Sequence, residues 1–310
     1  MLSTERPAAA GRSFALVPRG PFSLAASADF IGGFTPASHQ GVGEDGHLHL
    51  GFCVEGGWEP VGVCLRDVGG TIAGEVYGSA GIEHVARQVS GILSLDVDGR
   101  GFAEVAARDR VVGRLADRFD WLRPVNFWSP YEAAVWAVVS QRINMRQAAK
   151  IKSGMARELG ARVDVHGDVL DVFPAPSVLA DLTGFASLPE RKVPYLRAIA
   201  EAALDGRLDT ARLRSGGNEQ ILAELRQIPG IGPMSAEHIL VRGAGEPDRV
   251  TPMEPRLPRA IALAYGLDHV PSDVEVYQLA EAWRPYRTWV MVLLRVAFAR
   301  DDPAGNARRR

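Results

Sequence analysis

The sequence predicts a multi-domain α+β protein in which a small antiparallel-sheet domain precedes an all-helical domain. Short β-rich segments separated by glycine and aspartate turns occupy roughly the first 100 residues. A helical spacing of apolar residues replaces this pattern from about residue 101 onward. A turn with two glycines and two prolines at 229–233 then separates two of the later helices. The chain of 310 residues is long enough for two domains and can bury a sizeable core.

The changes of pattern along the chain set the expected domain boundaries. We expect residues 1–20, which contain a run of small residues, to form a flexible leader. Residues 21–100 form the predicted α+β domain, and residues 101–298 form the predicted all-helical domain. Residues 299–310 end in three arginines and are predicted to be a flexible basic tail.

The composition is that of an ordinary soluble globular protein, with 46% hydrophobic and 23% charged residues. The formal net charge of −2 argues against a strongly basic nucleic-acid coat but is compatible with a local basic face. We find neither a signal peptide nor a run of about 18 apolar residues that could span a membrane. The two cysteines, Cys53 and Cys64, form no disulfide framework and no zinc-ligand spacing, which favours a reducing cytosolic compartment.

The first domain shows secondary structure but no catalytic motif. Predicted strands lie at 22–24, 47–54, 61–65 and 71–77, with a further short segment at 95–97. A helix is predicted at 82–93 from its apolar spacing. His47 and His49 share one face of a strand, but no third ligand is evident, so we interpret them as a solvated pair.

The second domain is predicted to be a succession of helices. The segment 131–142 is almost continuously apolar and small, which predicts a buried central helix after Pro130. Asn144 is expected to cap the next helix, which ends at Gly160. That helix carries a basic face of Arg146, Lys150, Lys152 and Arg157, which either meets a phosphate backbone or is simply solvated. Further helices are predicted at 103–118, 177–182, 191–204, 219–227, 233–242, 257–265, 274–282 and 289–298.

The turn at 229–233 predicts a helix-hairpin-helix. Gly230 and Gly232 can both adopt positive φ, which permits a very tight turn. Pro233 suits the first turn of the following helix, where no N–H is needed. Backbone N–H groups are left free at that helix N-terminus and bind anions, of which a DNA phosphate is the natural one. The alternative is an ordinary connection between two helices.

Three segments in this region carry a family resemblance. They read YEAAVWAVVSQRIN at 131–144, IPGIGPMSAEHIL at 228–240 and EAWRPYRTW at 281–289. In this order and spacing they resemble the helix-hairpin-helix (HhH-GPD) DNA glycosylase superfamily, and within it the DNA-3-methyladenine glycosylase II branch. The resemblance spans about residues 125–298, and the branch also carries a β-rich domain before this region.

The resemblance implies a DNA-repair enzyme of the cytoplasm, associated with the nucleoid, that acts as a monomer on duplex DNA. A damaged nucleotide is rotated out of the helix into a pocket between two helical subdomains. A carboxylate on the loop after the hairpin then assists cleavage of the N-glycosidic bond. The resemblance implies no cofactor. In relatives, the hairpin carbonyls hold a monovalent cation, and the same is expected here.

Site residues are carried over from the resemblance by position. Glu254 takes the place of the family's catalytic aspartate. Met234 replaces the lysine of bifunctional relatives, so no imine and no lyase step are expected. The expected pocket residues are Gln141, Met234, His238 and Arg295. The expected DNA-binding residues are Arg142, Gly230, Ile231, Gly232, Met234 and Ser235.

The pocket departs from the aromatic walls that bind cationic alkylated bases in the branch. A buried Arg295 would repel such a base, and could instead pair with Glu254 or hydrogen-bond a neutral base, so we hypothesise a substrate other than a typical 3-methylated purine. The alternative is that Arg295 points to solvent, in a helix register shifted by one turn. The longer side chain of Glu254 displaces its charge by about 1 Å, which can cost roughly 100-fold in rate. The sequence therefore predicts a monofunctional DNA glycosylase, with a non-catalytic sensor of distorted DNA as the alternative. A protein-interaction module is the third reading.

Overall fold

The computed structural model describes residues 12–37, 40–251, 254 and 256–301. The first part of the predicted leader, up to residue 11, and the predicted tail from residue 302 lie outside these residues. Within the described part, no helix is both long and apolar enough to cross a lipid bilayer.

The predicted N-terminal antiparallel sheet is confirmed. Its strands among the described residues are β1 (Arg12–Leu16), β2 (Gly41–Val42), β3 (Leu48–Cys53), β4 (Pro60–Val68) and β5 (Thr71–Tyr77). They are ordered β1-β5-β4-β3-β2, and each neighbouring pair is antiparallel. All residues of β3 are buried, because its two faces are covered.

Strand β1 lies inside the segment predicted to be a flexible leader, so that prediction is wrong for residues 12–16. The strand pairs along its full length with β5, from Arg12 opposite Val76 to Leu16 opposite Ile72. Gly74 on β5 leaves the space that the ring of Phe14 fills. A short alternation of apolar and polar residues therefore sufficed to add a strand to the sheet edge.

Helices α1 (Leu24–Gly32) and α2 (Ile82–Ile92) pack with this sheet. The prediction of a strand at 22–24 is wrong. Ser23 instead accepts the N–H of Ala26 and begins α1 as its N-cap. The segment 95–97 forms no strand either.

The remaining elements are largely helical, as predicted. They are α3 (Arg100–Arg108), α4 (Arg110–Arg118), α5 (Pro130–Val139), α6 (Met145–Leu159), α7 (Pro176–Ala180), α8 (Val193–Leu204), α9 (Thr210–Ser215), α10 (Asn218–Leu225), α11 (Pro233–His238), α12 (Leu257–Tyr265), α13 (Asp273–Ala280) and α14 (Arg287–Asp301). Helix α11 continues as a wider π-type turn, Ile239–Gly243. The single helix predicted at 103–118 is two helices, because the Asp109 side chain accepts the N–H groups of Val111 and Val112 and starts a new one.

One β-hairpin interrupts the helices of the predicted all-helical domain. Strands β6 (Ala161–Val165) and β7 (Asp168–Val172) pair in antiparallel register around a two-residue turn. The hairpin lies against the N-terminal sheet, where Gly51 and Gly62 leave room for its side chains. The sequence did not predict this hairpin, because its two strands are short and lie between helices.

Buried apolar side chains of the described residues form two large cores. The first combines the sheet and helices α1–α4 with helices α12–α14, so it draws on residues 24–128 and 250–298. The second is built from a continuous stretch, residues 127–244. The predicted boundary near residue 100 therefore does not separate the two cores, and the domain division stays a prediction.

Candidate active site and nucleic-acid interface

A cavity of about 590 Å³ lies where residues of the two cores meet. Helices α1, α5, α11 and α14 contribute side chains to its wall, together with the loop that leads into α12. The lining includes Phe30, Phe34, Trp136, Gln141, Met234, His238, Arg242, Thr251, Glu254, Met291 and Arg295. All residues predicted for the pocket and for catalysis thus face one cavity, although their roles stay predictions.

Glu254 sits one turn before α12, at the edge of the cavity. Its N–H donates to the carbonyl of Thr251 (3.2 Å), and its own carbonyl accepts the N–H of Leu257 (3.0 Å). One carboxylate oxygen lies 3.5 Å from Nε of Arg295. The side chain is 37% exposed, so its carboxylate is accessible from the cavity while its backbone is held.

The loop that carries Glu254 is fastened to two helices. Arg249 makes a two-pronged ion pair with Glu237 on α11, with both N···O distances at 2.6 Å. Asp248 accepts a hydrogen bond of 2.7 Å from Nε of Arg287 on α14. The hydroxyl of Thr288 accepts the N–H of Arg249 (3.2 Å). Such bidentate charged bonds fix geometry as well as adding energy, so Asp248 and Arg249, a few residues before Glu254, have a defined position.

The cavity wall holds buried polar atoms that have no hydrogen-bond partner within the described part of the chain. These atoms are Nε of Arg242, Nη1 of Arg295, Nε2 of His238 and the hydroxyl of Thr251. Burial lowers the pKa of Arg242 to about 10, so the guanidinium remains charged at neutral pH. Burial also lowers the pKa of His238 to about 3, so its imidazole is neutral. A buried donor without a partner costs roughly 1–3 kcal/mol, which a ligand rich in acceptors would relieve.

The first domain supplies an aromatic part of the wall that the sequence analysis missed. Phe30 and Phe34 stack with ring centroids 5.6 Å apart. The guanidinium of Arg242 lies 5.7 Å from the first ring and 5.6 Å from the second. These residues belong to α1 and its end, far from the hairpin in sequence, and only the tertiary structure brings them to the cavity. The aromatic faces are therefore already engaged by a cation of the protein.

The hairpin turn depends on one of its two glycines more than on the other. Gly230 has φ of +88°, and a Cβ there would lie 2.7 Å from the ring of Tyr195. Gly232 has φ of −89° and ψ of −179°, an extended conformation with no heavy atom near its Cβ position. Gln141 Nε2 donates to the carbonyl of Gly230 (3.1 Å), which ties the end of α5 to the turn.

The predicted DNA-binding residues differ in how far their side chains are exposed to solvent. Arg142 is exposed and has φ of +56°, an uncommon conformation for a residue with a side chain. Met234 is 56% exposed, and Ser235 is partly exposed. Ile231 is buried in the second core, and its N–H donates to the carbonyl of Ile228 (3.0 Å). The prediction for Ile231 is therefore wrong as regards direct contact, because neither its side chain nor its N–H is free.

Two carbonyl oxygens of the hairpin have hydrogen-bond partners within the protein. The oxygens of Ile228 and Gly230 each accept a hydrogen bond, from Ile231 and from Gln141 respectively. A carbonyl oxygen has two lone pairs, so each keeps one for a cation. The expected cation stays a prediction.

Two other predictions need correction. The basic face of α6 is not uniform, because Lys152 is buried and its Nζ lies 2.8 Å from Glu132 on α5. The pair of His47 and His49 is not simply solvated, because His49 is 1% exposed. Its Nδ1 lies 2.8 Å from a carboxylate oxygen of Asp168.

No family model matches the chain. Among curated proteins, it is 24% identical over 220 residues to the DNA-3-methyladenine glycosylase of Bacillus subtilis (strain 168), covering 68% of this chain and 71% of that protein. It is 27% identical over 218 residues to DNA-3-methyladenine glycosylase 2 of Escherichia coli (strain K12), covering 69% and 73%.

Solved structures show the same fold. The 3-methyladenine DNA-glycosylase from Archaeoglobus fulgidus superposes with a TM-score of 0.75 at 20% identity, covering 93% of this chain and 98% of that one. A Clostridium acetobutylicum 8-oxoguanine glycosylase/lyase bound to double-stranded DNA gives a TM-score of 0.56 at 15% identity, covering 80% and 87%. The arrangement of sheet, helices and hairpin is therefore that of known glycosylases.

Proposed function

We propose that this chain, which has the fold of the helix-hairpin-helix DNA glycosylases and is related in sequence to the DNA-3-methyladenine glycosylases, is a monofunctional base-excision repair glycosylase. It hydrolyses the N-glycosidic bond of a damaged base that has been flipped out of duplex DNA. The observation that carries the proposal is the carboxylate of Glu254, placed after the hairpin at the edge of a cavity large enough for a nucleobase. The names of the relatives favour this function over a non-catalytic sensor.

The surface that contacts DNA is formed by the hairpin and the end of α5. Backbone N–H groups at the start of α11 face a phosphate, since the first turn of a helix has no acceptors for them. Arg142, held out by its left-handed backbone, fills the gap left by the flipped base. Gln141 connects the end of α5 to the hairpin through its hydrogen bond to the carbonyl of Gly230. Binding by such phosphate contacts falls steeply with salt, and one monomer suffices for one lesion.

The chemistry is a displacement at C1′ of the flipped nucleotide. The bond between C1′ and the base nitrogen breaks, the base leaves with the electron pair, and positive charge develops on the sugar. Glu254 stabilises that charge, orients the water that adds to C1′ and accepts the proton that this water loses, while the departing base takes up a proton from solvent. Donors of Arg295 and Arg242 offset the negative charge on the departing base. Met234 has no amine, so the reaction ends at the abasic site.

The cavity favours an electrically neutral modified base with exposed acceptors. Two partly buried guanidinium groups, those of Arg242 and Arg295, repel a cationic purine. The aromatic faces that would attract such a cation already lie beside Arg242. Unpaired donors in the wall match carbonyl or ring-nitrogen acceptors of an alkylated or deaminated base that carries no charge. Efficient release of a cationic 3-methylated purine would contradict this specificity.

Single-turnover base release tests the proposal. Duplexes carrying alkylated, deaminated and oxidised bases are incubated with wild type and with Glu254→Gln, which keeps the size of the side chain and removes its charge. We expect base release by wild type and a loss of roughly 100-fold or more in Glu254→Gln, as for other electrostatic stabilisers of a transition state.

The exposed Glu201 on α8 provides the matched control, because Glu201→Gln should leave the rate unchanged. Release that survives in Glu254→Gln would identify another carboxylate as the catalytic one. No release from any lesion, with tight duplex binding, would support the non-catalytic alternative.

A further inference from the structure

Four side chains of metal-binding type lie together away from the cavity. Asp45 and His47 precede β3, Cys64 lies on β4, and His166 lies in the turn between β6 and β7. One donor atom from each of them lies within 4.8 Å of the donor atoms of the other three. None of the four lines the candidate active site.

The sheet and the hairpin build this cluster together. Cys64 is directly opposite Glu75 on β5, so the two side chains leave the same face of the sheet. The β6–β7 hairpin covers that face, and a Cβ at Gly62 would lie 2.4 Å from Val165. This close packing brings His166, 121 residues from Asp45 in sequence, to the same point.

The distances are near those of tetrahedral coordination. A carboxylate oxygen of Asp45 lies 3.0 Å from Nδ1 of His47 and 2.8 Å from Nδ1 of His166. The sulfur of Cys64 lies 3.5 Å from Nδ1 of His47. Zinc with bonds of roughly 2.0–2.3 Å holds its ligand atoms about 3.3–3.6 Å apart. To admit the ion, the ligand atoms at these short contacts would move apart by a few tenths of an ångström. The two ligand atoms that are farthest apart, up to 4.8 Å, would move closer together by a larger distance.

Two further observations concern His166. Its second ring nitrogen, Nε2, lies 3.2 Å from a carboxylate oxygen of Glu75, which also accepts the hydroxyl of Tyr77 (3.1 Å). Metal-binding histidines normally give their other ring N–H to such a carboxylate. His166 also has φ of +52°, followed by Gly167 at +93°, in a turn that favours Asn–Gly.

We propose that Asp45, His47, Cys64 and His166 bind a zinc ion that fastens the β6–β7 hairpin to the N-terminal sheet. One thiolate and two imidazoles favour zinc over magnesium or calcium, which prefer oxygen ligands alone. The carboxylate and the thiolate balance the two positive charges, and the thiol proton is released to solvent on binding. The sequence predicted no metal site, because the ligands come from separate segments of the chain and follow no local spacing.

The first test is the metal content of the whole chain, purified without a metal-affinity tag. We expect about one zinc per chain by elemental mass spectrometry, and a lower melting temperature after chelation that zinc restores. Cobalt in place of zinc should give the absorption of a tetrahedral thiolate complex. Failure to retain zinc in micromolar zinc, with no change in melting temperature, would overturn the proposal.

The variant His166→Asn separates metal binding from turn stability. Asn–Gly forms this turn at least as well as His–Gly, so the metal-free variant should keep the turn and lose only the contacts of the imidazole with Asp45 and Glu75. Zinc affinity should fall by roughly 100-fold or more, and by about 10–100-fold in Glu75→Gln. The exposed His84 on α2 gives the control, His84→Gln, which should bind zinc normally. Unchanged zinc affinity in His166→Asn would also overturn the proposal, and neither result depends on base release.

Discussion

A single backbone angle at Gly230 shapes the hairpin that is proposed to bind DNA. The angle φ is +88°, and the space where a side chain would begin is taken by the ring of Tyr195. We expect Gly230→Ala to lower the free energy of unfolding by roughly 1–2 kcal/mol for the backbone alone, with a further cost from the clash. Urea unfolding of the variant measures this loss, and duplex affinity should fall with it.

The neighbouring glycine provides the comparison for Gly230→Ala. The backbone of Gly232 is extended, and nothing lies within 4 Å of its Cβ position. Gly232→Ala should therefore leave the free energy of unfolding unchanged while its methyl group obstructs a phosphate. If Gly232→Ala bound duplex DNA as tightly as wild type, the hairpin would not be the phosphate site.

Single residues were predictable where the local sequence dictates them. The glycine-proline pattern predicted the hairpin, and Asn144 caps α6 as expected, accepting the N–H of Gln147 (2.8 Å). The resemblance placed Glu254 on the cavity wall. Phe30 and Phe34 could not be predicted, because their importance arises from contact with Arg242, more than 200 residues later in sequence.

At the scale of elements, the loop between α11 and α12 is positioned by the ion pair of Arg249 with Glu237. We expect Glu237→Gln to reduce single-turnover base release by roughly 10–100-fold, because the loop would displace Glu254 by a fraction of an ångström or more. Duplex affinity should change little, since Glu237 lies in the cavity wall and not in the hairpin turn. Comparing the rate at saturating protein with the dissociation constant separates the two effects.

Arg249 has a second carboxylate partner that serves as the control. Glu219 lies 3.1 Å from its guanidinium but is 83% exposed, whereas Glu237 is 14% exposed. Exposed ion pairs contribute little, so Glu219→Gln should leave base release near the wild-type rate. Equal losses in both variants would show that net charge, and not the position of the loop, governs the reaction.

Elements with strong end signals were predicted closely, and short elements were not. Helix α12 begins and ends at the predicted residues, and α6 ends at the predicted glycine. The strands β6 and β7 have five residues each, too few to reveal a period of two among helices. The break between α3 and α4 depends on the side chain of Asp109, whose capping role a helical apolar pattern conceals.

For the whole molecule, a buried carboxyl group makes stability depend on pH. Glu55, in the loop after β3, accepts hydrogen bonds from the N–H (2.9 Å) and hydroxyl (2.7 Å) of Thr210 on α9. Burial raises its pKa from 4.5 to about 7. The folded protein therefore holds this proton more tightly than the unfolded chain does. The stabilisation is complete below about pH 4.5 and is lost as the pH rises through 7.

The variant Glu55→Gln should remove this dependence. We expect wild type to lose on the order of 2 kcal/mol of unfolding free energy relative to Glu55→Gln between pH 5 and pH 8. Urea titrations of both proteins at several pH values measure the difference. Parallel curves for the two proteins would show that Glu55 keeps an ordinary pKa when folded.

At this largest scale the sequence predicted the order of the parts but not how they join. The sheet comes first and the helices follow, as the patterns indicated. That α12–α14 return to complete the core of the sheet could not be inferred, because an apolar helix face does not specify its partner. For example, Trp289 on α14 packs against Phe102 on α3, with ring centroids 5.2 Å apart.

The division of the cores also orders events during synthesis on the ribosome. The second core needs only residues 127–244, so its sequence is complete while the last helices are still being translated. The first core waits for residues up to 298, although most of its side chains emerge from the tunnel earliest. The nascent sheet therefore carries exposed apolar surface until α12–α14 have been translated, which is the interval in which chaperones engage such surfaces. The cavity, which needs residues of both cores, forms last.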